Sequence, residues 1–357
     1  MNSEQWIFDL KQTVPEFLSK MRGENPGFFR YSFSGDLFGD SVHWGLGNTV
    51  FAIKSFYTLN LLNSMPASQK KEMADFVKSF QGKSNMLFDP LVKRRAFLRD
   101  KLSAIKYSRY HNFFHAHTLR AETRQAICAL ELLGERPDSY PEIPTTTQAI
   151  DKYLSALDWS SPWNAGSHFS HLVFFLRNST LTNQGKLINH AIAWVNRIQD
   201  KDCGSWFEGQ PSVGDKINGA MKVITGLQVA DKMTFSHPTK LIDLALGSKD
   251  DRHACDNFNV VYVLSKANEI TDGTYRNQEI QEFVRSKLAN YREYYWPEYG
   301  GFSFLKGRAN HYYYKAVITR GLPEPDMHGT VLFLWGITLI SKILGWEKEL
   351  GFQEYVT

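Results

Sequence analysis

The sequence predicts an all-α fold, an (α/α)6 toroid in which six inner helices are ringed by about six outer ones. Three observations carry that expectation. One layout recurs six times: a few polar residues open an apolar helix that keeps small residues on one face. Between those six lie amphipathic segments with apolar residues at helical spacing. Strand-like alternation is almost absent.

The inner helices are expected to open at His43-Trp44-Gly45-Leu46-Gly47, Glu122-Thr123-Arg124-Gln125-Ala126 and Ser167-His168-Phe169-Ser170-His171. Three further openings follow at Asp215-Lys216-Ile217-Asn218-Gly219, His253-Ala254-Cys255-Asp256-Asn257 and Pro325-Asp326-Met327-His328-Gly329. The last leads into the apolar run from Thr330 to Leu344. The outer segments fall at roughly Gln5–Met21, Gln69–Phe80, Thr146–Leu157, Gly185–Ile198, Pro238–Leu246 and Asn277–Arg292. In the last of these Ile280, Phe283, Val284, Leu288 and Tyr291 share one face. Closing six such inner helices into a ring gathers their polar openings at one mouth, and that geometry makes a pocket. No linker is long enough to separate a pair of folding units, so residues 1–357 read as a single domain.

Composition narrows the class. Apolar content of 43% and charge of 22% suit a soluble globular chain, whereas 14% aromatic residues points to a thick helical core or an aromatic-lined cavity. The net charge of +4 is modest, and the densest basic stretch (Lys93-Arg94-Arg95, then Arg99, Lys101, Lys106 and Arg109) reads as a solvated helix face. Nucleic acid is not an expected partner. Three scattered cysteines are too few for a disulfide framework, which predicts a reducing compartment, the cytoplasm by default. Met1-Asn2-Ser3-Glu4 leads into an amphipathic helix, so no secretion signal is expected. Apolar runs are expected to stay below the roughly 18 to 20 residues that span a bilayer.

Loops between outer and inner helices carry a second signature. Gln199-Asp200-Lys201-Asp202-Cys203-Gly204-Ser205-Trp206 is one copy, Trp296-Pro297-Glu298-Tyr299-Gly300-Gly301-Phe302 another, and Ser34-Gly35-Asp36-Leu37-Phe38-Gly39 a fainter third. In each, glycine permits a tight turn and an aromatic side chain folds back onto the helix ends. With the alternating helices and polar openings, these loops resemble the α/α-toroid group of terpenoid cyclases and protein prenyltransferase β-subunits. The Gln199 loop resembles that group's glutamine–tryptophan repeat with one extra residue.

The resemblance implies a zinc site. Protein prenyltransferases hold zinc with an Asp and a Cys one residue apart on one inner helix and a His opening the last. Here His253, Cys255 and His328 occupy the matching places, His253 replacing the Asp. Thiolate and imidazole are suitable tetrahedral zinc ligands. Otherwise Cys255 is a small buried hydrophobe and the histidines cap helices. The diphosphate-ionising D-D-x-x-D is missing, since Asp250-Asp251 is followed by Arg252-His253, and D-x-D-D is missing too.

Other residues suggest metal-free chemistry. Asp215, Asp256 and Asp326 sit at inner-helix openings, where an Asp either caps backbone N–H groups or acts as acid or base. His168 and His171, one turn apart, would both face the lumen. These three acids and His168 are the expected catalytic groups. Trp44, His171, Lys216 and Tyr313 are the expected substrate contacts. Lys216 and Arg124 would suit a diphosphate or a uronate, and Tyr312-Tyr313-Tyr314 a flap over the mouth. His111, His115 and His117 read as helix surface and packing. No P-loop, Rossmann fingerprint or G-x-S-x-G elbow is present.

Three functions follow. The first is an enzyme of the prenyltransferase or cyclase type, with a central pocket for an isoprenoid-like or other elongated substrate and zinc as its one possible cofactor. The second is a carbohydrate-active hydrolase, lyase or epimerase with carboxylates at the inner-helix N-termini. The third is a non-catalytic scaffold that binds a ligand or a protein partner.

Overall fold

Two kinds of helix alternate along the chain, and they differ in how much of their circumference is buried. The computed structural model describes residues 4–82, 84–106, 117–249 and 251–357. One set comprises α1 (Gln5–Lys20), α3 (Ala67–Lys78), α6 (Thr147–Ser155), α8 (Gln184–Asn196), α10 (Pro238–Leu246) and α12 (Asn277–Arg292). Each buries a single stripe, as α1 does with Ile7, Leu10, Val14, Phe17 and Leu18. The other set comprises α2 (Leu46–Thr58), α5 (His117–Leu132), α7 (Pro162–Arg177), α9 (Val213–Val229), α11 (Ala254–Ile270) and α13 (Met327–Leu344). These are buried nearly all round, and in α2 only Tyr57 of its 13 residues is not buried. Helices α4 (Pro90–Lys106) and α14 (Glu347–Leu350) stand outside the alternation.

The contacts among the second set close on themselves. Helix α2 packs on α5, α5 on α7, α7 on α9, α9 on α11, α11 on α13, and α13 returns to α2. Small residues set the tightest of these approaches. A Cβ on Gly219 of α9 would lie 2.5 Å from Pro162 Cβ of α7, so only glycine fits there. The first set packs outside: α3 on α2 and α5, α8 on α7, α10 on α11, and α12 on α13. The buried apolar residues of both sets form one cluster.

Short turns follow four of the single-stripe helices; those at Gln199 and Trp296 were expected, those after α1 and α3 were not, and the fainter copy at Ser34–Gly39 instead bridges Asp36 to Thr319. Short antiparallel bridges pair Arg22 with Phe29 after α1, Gln81 with Leu87 after α3, and Gln199 with Trp206 after α8. After α12, β1 (Tyr295–Trp296) pairs with β2 (Gly301–Phe302) in the same way. Gln199 Nε2 donates to Gly204 O at 2.9 Å and to Ser236 O at 2.6 Å, tying the end of α8 to the approach to α10. Trp206 is fully buried beneath that turn.

Three sequence expectations need correction. Helices α5 and α7 begin at His117 and Pro162, more than a turn before Glu122 and Ser167. Pro162 at the first helical position starts α7 early, so His168 and His171 sit in its second and third turns. Of the histidine trio read as helix surface, His111 and His115 lie outside the described residues, and His117 faces inward. Helix α13, with 18 residues and a mean hydropathy of 1.5, is long and apolar enough to cross a bilayer. It packs instead against α2, α11 and α12.

Asp326 anchors the start of α13. Its carboxylate accepts from Gly329 N at 2.7 Å, Phe304 N at 2.8 Å and Asn310 N at 2.9 Å, and it is fully buried. Replacing Asp326 with Ala strands three buried donors, and urea denaturation is expected to show a loss of about 3 kcal/mol. Asp326→Asn, which keeps a capping oxygen, is expected to lose about half as much.

Candidate functional site

The inner helices enclose a cavity of about 360 Å³. Its wall is aromatic and cationic. Phe51, Trp163, Phe258, Trp335 and Tyr355 supply rings, and Lys54, Arg124, Lys222 and Lys315 supply charge. No Asp or Glu side chain is among the residues that line it.

Lys54 and Lys222 come from the middles of apolar helices, between Ile53 and Ser55 on α2 and between Met221 and Val223 on α9. Burial pulls both ammonium groups down to about 8. Lys54 donates to Gln125 Oε1 and, at 2.9 Å, to Thr357 Oγ1, and lies 4.9 Å from the Tyr355 ring centroid. Lys222 is half-buried and lines the cavity; its Nζ lies 5.5 Å from the Trp163 centroid. No described carboxylate pairs with it. Arg124 donates to Ser170 Oγ and to the main-chain oxygen of Thr357, while its buried Nε has no partner. Burial lowers its guanidinium to about 10.

Three imidazoles meet beside this charge. His168 and His171 project from one face of α7, and His117 from the first residue of α5. Ring centroids lie 5.2 Å apart for His117–His168, 5.8 Å for His117–His171 and 6.0 Å for His168–His171. One candidate ligand atom from each falls within 4.8 Å of the others. Burial holds His117 down to about 4, with Lys222 and Lys315 adding to the effect. Burial, then Arg124 and the two other imidazoles, holds His171 well below its ordinary range. Both are therefore neutral at pH 7.

The tyrosine run forms a hairpin at the cavity wall. Strands β3 (Tyr312–Tyr313) and β4 (Ala316–Val317) are joined by Tyr314 and Lys315, at φ of 42° and 65°. Two consecutive non-glycine residues in the left-handed region cost on the order of 1–3 kcal/mol each, and such strain concentrates at functional sites. Tyr313 packs edge-on against Phe51 at 5.8 Å and fills the space a Cβ on Gly47 would need.

The expected site residues divide into those at the cavity and those away from it. His171, Tyr313, Cys255 and His328 line it, and His168 stands in the histidine trio. Asp326 is spent on three backbone donors, with burial pushing its carboxyl up to about 7. Asp256 is buried beside Arg252 Nε at 3.2 Å and His253 Nε2 at 3.5 Å, and does not line the cavity. Asp215 is exposed; its N–H donates to the N-cap Ser212 Oγ at 3.2 Å, half of a capping box, and its carboxylate accepts from that hydroxyl at 2.8 Å. Trp44 is buried and donates to Gly39 O at 3.0 Å; Lys216 lies 4.6 Å from the Phe207 centroid. Neither reaches the cavity.

His253, Cys255 and His328 do not come together as a metal trio. Phe304 stacks on His253 at 5.2 Å and on His328 at 4.6 Å, so an aromatic ring engages both imidazoles. Burial pushes the Cys255 thiol up to about 12, which disfavours the thiolate. Sequence reading missed Lys54, Lys222 and the inward-facing His117. A lysine in an otherwise apolar inner helix was the available signal for the first two.

No family model matches the chain, and no curated protein does. A crystal structure of a protein from Actinoplanes is similar over 95% of this chain and 100% of its own length, with 13% sequence identity and a TM-score of 0.47.

A lysine depressed from 10.5 to about 8 destabilises the folded state while the unfolded chain stays protonated. That cost is complete below pH 8 and fades as pH rises towards 10.5. Lys222→Met is therefore expected to stabilise the ligand-free protein at pH 7 by about 1–3 kcal/mol. Thermal denaturation should show the gain narrowing as pH is raised through 8 to 10.

Proposed function

We propose that the chain is an (α/α)6 toroid enzyme whose lumen binds and transforms a small molecule carrying an anionic group on an apolar or ring-bearing body. The closed order of contacts from α2 round to α13 and back supports the architecture. The observation that carries the ligand class is the wall itself, with Lys54, Arg124, Lys222 and Lys315 present and no Asp or Glu side chain among the lining residues. In so shielded a space one cation at about 4 Å contributes roughly 4 kcal/mol of attraction to an anion. Phe258, Val331, Leu332 and Trp335 offer an apolar surface to the rest of the molecule.

An isoprenoid-like chain with an acidic head group fits this description best. An acidic sugar is the second reading, favoured by the neutral His171 beside Arg124. There an imidazole would take a proton from a carbon whose neighbouring carboxylate the guanidinium neutralises. A hydrolase with paired carboxylates lacks support, because Asp215, Asp256 and Asp326 do not line the cavity and Asp326 is held by backbone donors. The neutral imidazoles favour an enzyme over a passive scaffold. The three free cysteines are consistent with the cytoplasm.

Calorimetric titration with a prenyl diphosphate, a hexuronate and their uncharged counterparts tests the proposal. At least one anion is expected to bind at least about tenfold more tightly than its neutral partner, an advantage of about 1.4 kcal/mol. Lys222→Met is expected to remove most of that difference. Equal binding of charged and uncharged compounds would sink the reading, and which anion binds decides between its two forms.

A further inference from the structure

We infer that His117, His168 and His171 form a binding site for one divalent transition metal of the zinc class, held by three imidazole nitrogens with its remaining position open to the lumen. Tetrahedral zinc with bonds of about 2.0–2.1 Å sets its ligand nitrogens about 3.3 Å apart. The three candidate atoms already lie within 4.8 Å of one another, so side-chain rotations of about 1 Å complete the set.

The donors come from two packed helices. His168 and His171 share a face of α7, and His117 faces them from α5; His117 and His171 also line the cavity. Tyr153 OH meets His168 Nδ1 at 2.9 Å, fixing that ring and leaving Nε2 as its nitrogen towards the group. Hydrogen bonds of this kind orient imidazole ligands in metal sites.

A second observation points to a missing ligand. His171 is 3% exposed, and its Nδ1 has no hydrogen-bond partner; the buried Nδ1 of His117 has none either. A buried polar atom left without a partner costs about 1–3 kcal/mol. A bound ion would satisfy such nitrogens. Three nitrogens without a carboxylate suit zinc, cobalt, nickel or copper, and do not suit magnesium or calcium.

Charge sets a condition on the site. Arg120 and Arg124 both act on His171 and disfavour a second positive centre there. An anion in the lumen offsets that repulsion, so metal and anion are expected to strengthen each other's binding. Only this coupling rests on the proposed function.

The test uses the full chain, stripped with a chelator and titrated with Co(II) alone. Visible d–d absorption reports geometry and calorimetry reports stoichiometry. One Co(II) per chain is expected, with a tetrahedral spectrum displaced by Zn(II). His117→Gln and His171→Gln should each weaken binding at least about tenfold, and Tyr153→Phe about tenfold. Cys255→Ala and His253→Gln should leave it unchanged. Circular dichroism checks that the variants fold, and His117, half-buried at a helix start, keeps the test decisive if His171→Gln does not. Absence of saturable binding overturns the inference, as does binding that Cys255→Ala abolishes and His117→Gln does not. Anion binding without metal binding refutes the site alone; metal binding without anion binding leaves the site standing and refutes the lumen reading.

Discussion

The inner helices are buried around nearly their whole circumference, and the rest of the molecule depends on that. A helix in this position has no solvent face on which to place charge. Any ionisable side chain it carries is shielded either by a neighbouring helix or by the wall of the central cavity. Lys54, Arg124 and Lys222 are on that wall, and burial lowers the pKa of each. Replacing such groups with apolar ones of similar size would ordinarily favour folding. Their presence in otherwise apolar segments is a cost to folding, which the proposed anion binding would account for.

The same helices show how a structural charge is handled by contrast. Near their C-terminal ends, Lys266 of α11 and Lys342 of α13 both reach Glu354, at 2.9 and 2.6 Å. Burial opposes ionisation of Glu354, and the two lysines overcome it and hold the carboxyl below its usual range. The segment 351–357 that carries Glu354 runs back between the helices, with Gln353 N donating to Thr58 O at 2.8 Å. Tyr355 packs at a tilt against Trp335, with ring centroids 4.3 Å apart, and both line the cavity. Further in, Lys54 donates to the Gln125 amide and the Thr357 hydroxyl, and Arg124 to the Ser170 hydroxyl and the main-chain oxygen of Thr357.

Much of the helical pattern was legible in the sequence because it rests on periodicity. The outer segments Pro238–Leu246 and Asn277–Arg292 have the observed bounds, since each is closed by local cap and turn chemistry. The starts of α5 and α7 were misplaced because polar residues were taken for helix openings, whereas a helix facing a cavity carries polar residues along its length. That periodicity also hid the site. An apolar window scores Lys54 and Lys222 as exceptions to be averaged away, and His117 meets His168 across 51 positions of sequence separation that only tertiary packing brings together.

The acids at the helix openings explain the sign of the cavity. Asp36 accepts from Tyr31 N and Ser32 N, Glu324 from Ser34 N and Gly35 N, and Asp89 from Gly45 N, Leu91 N and Val92 N. Asp326 does the same for three donors of its own. Helices joined by tight loops leave many backbone N–H groups unpaired at the helix starts, and buried carboxylates satisfy several at once. Each acid so used points into a loop and is withdrawn from the lumen. Cations have no such role at a helix N-terminus, where the macrodipole opposes them. Those of α2, α5 and α9 sit a turn or more further in, facing the cavity. Loop capping thus holds these carboxylates at the helix starts, apart from Lys54, Arg124 and Lys222 on the cavity wall, and the proposed anionic ligand rests on that separation.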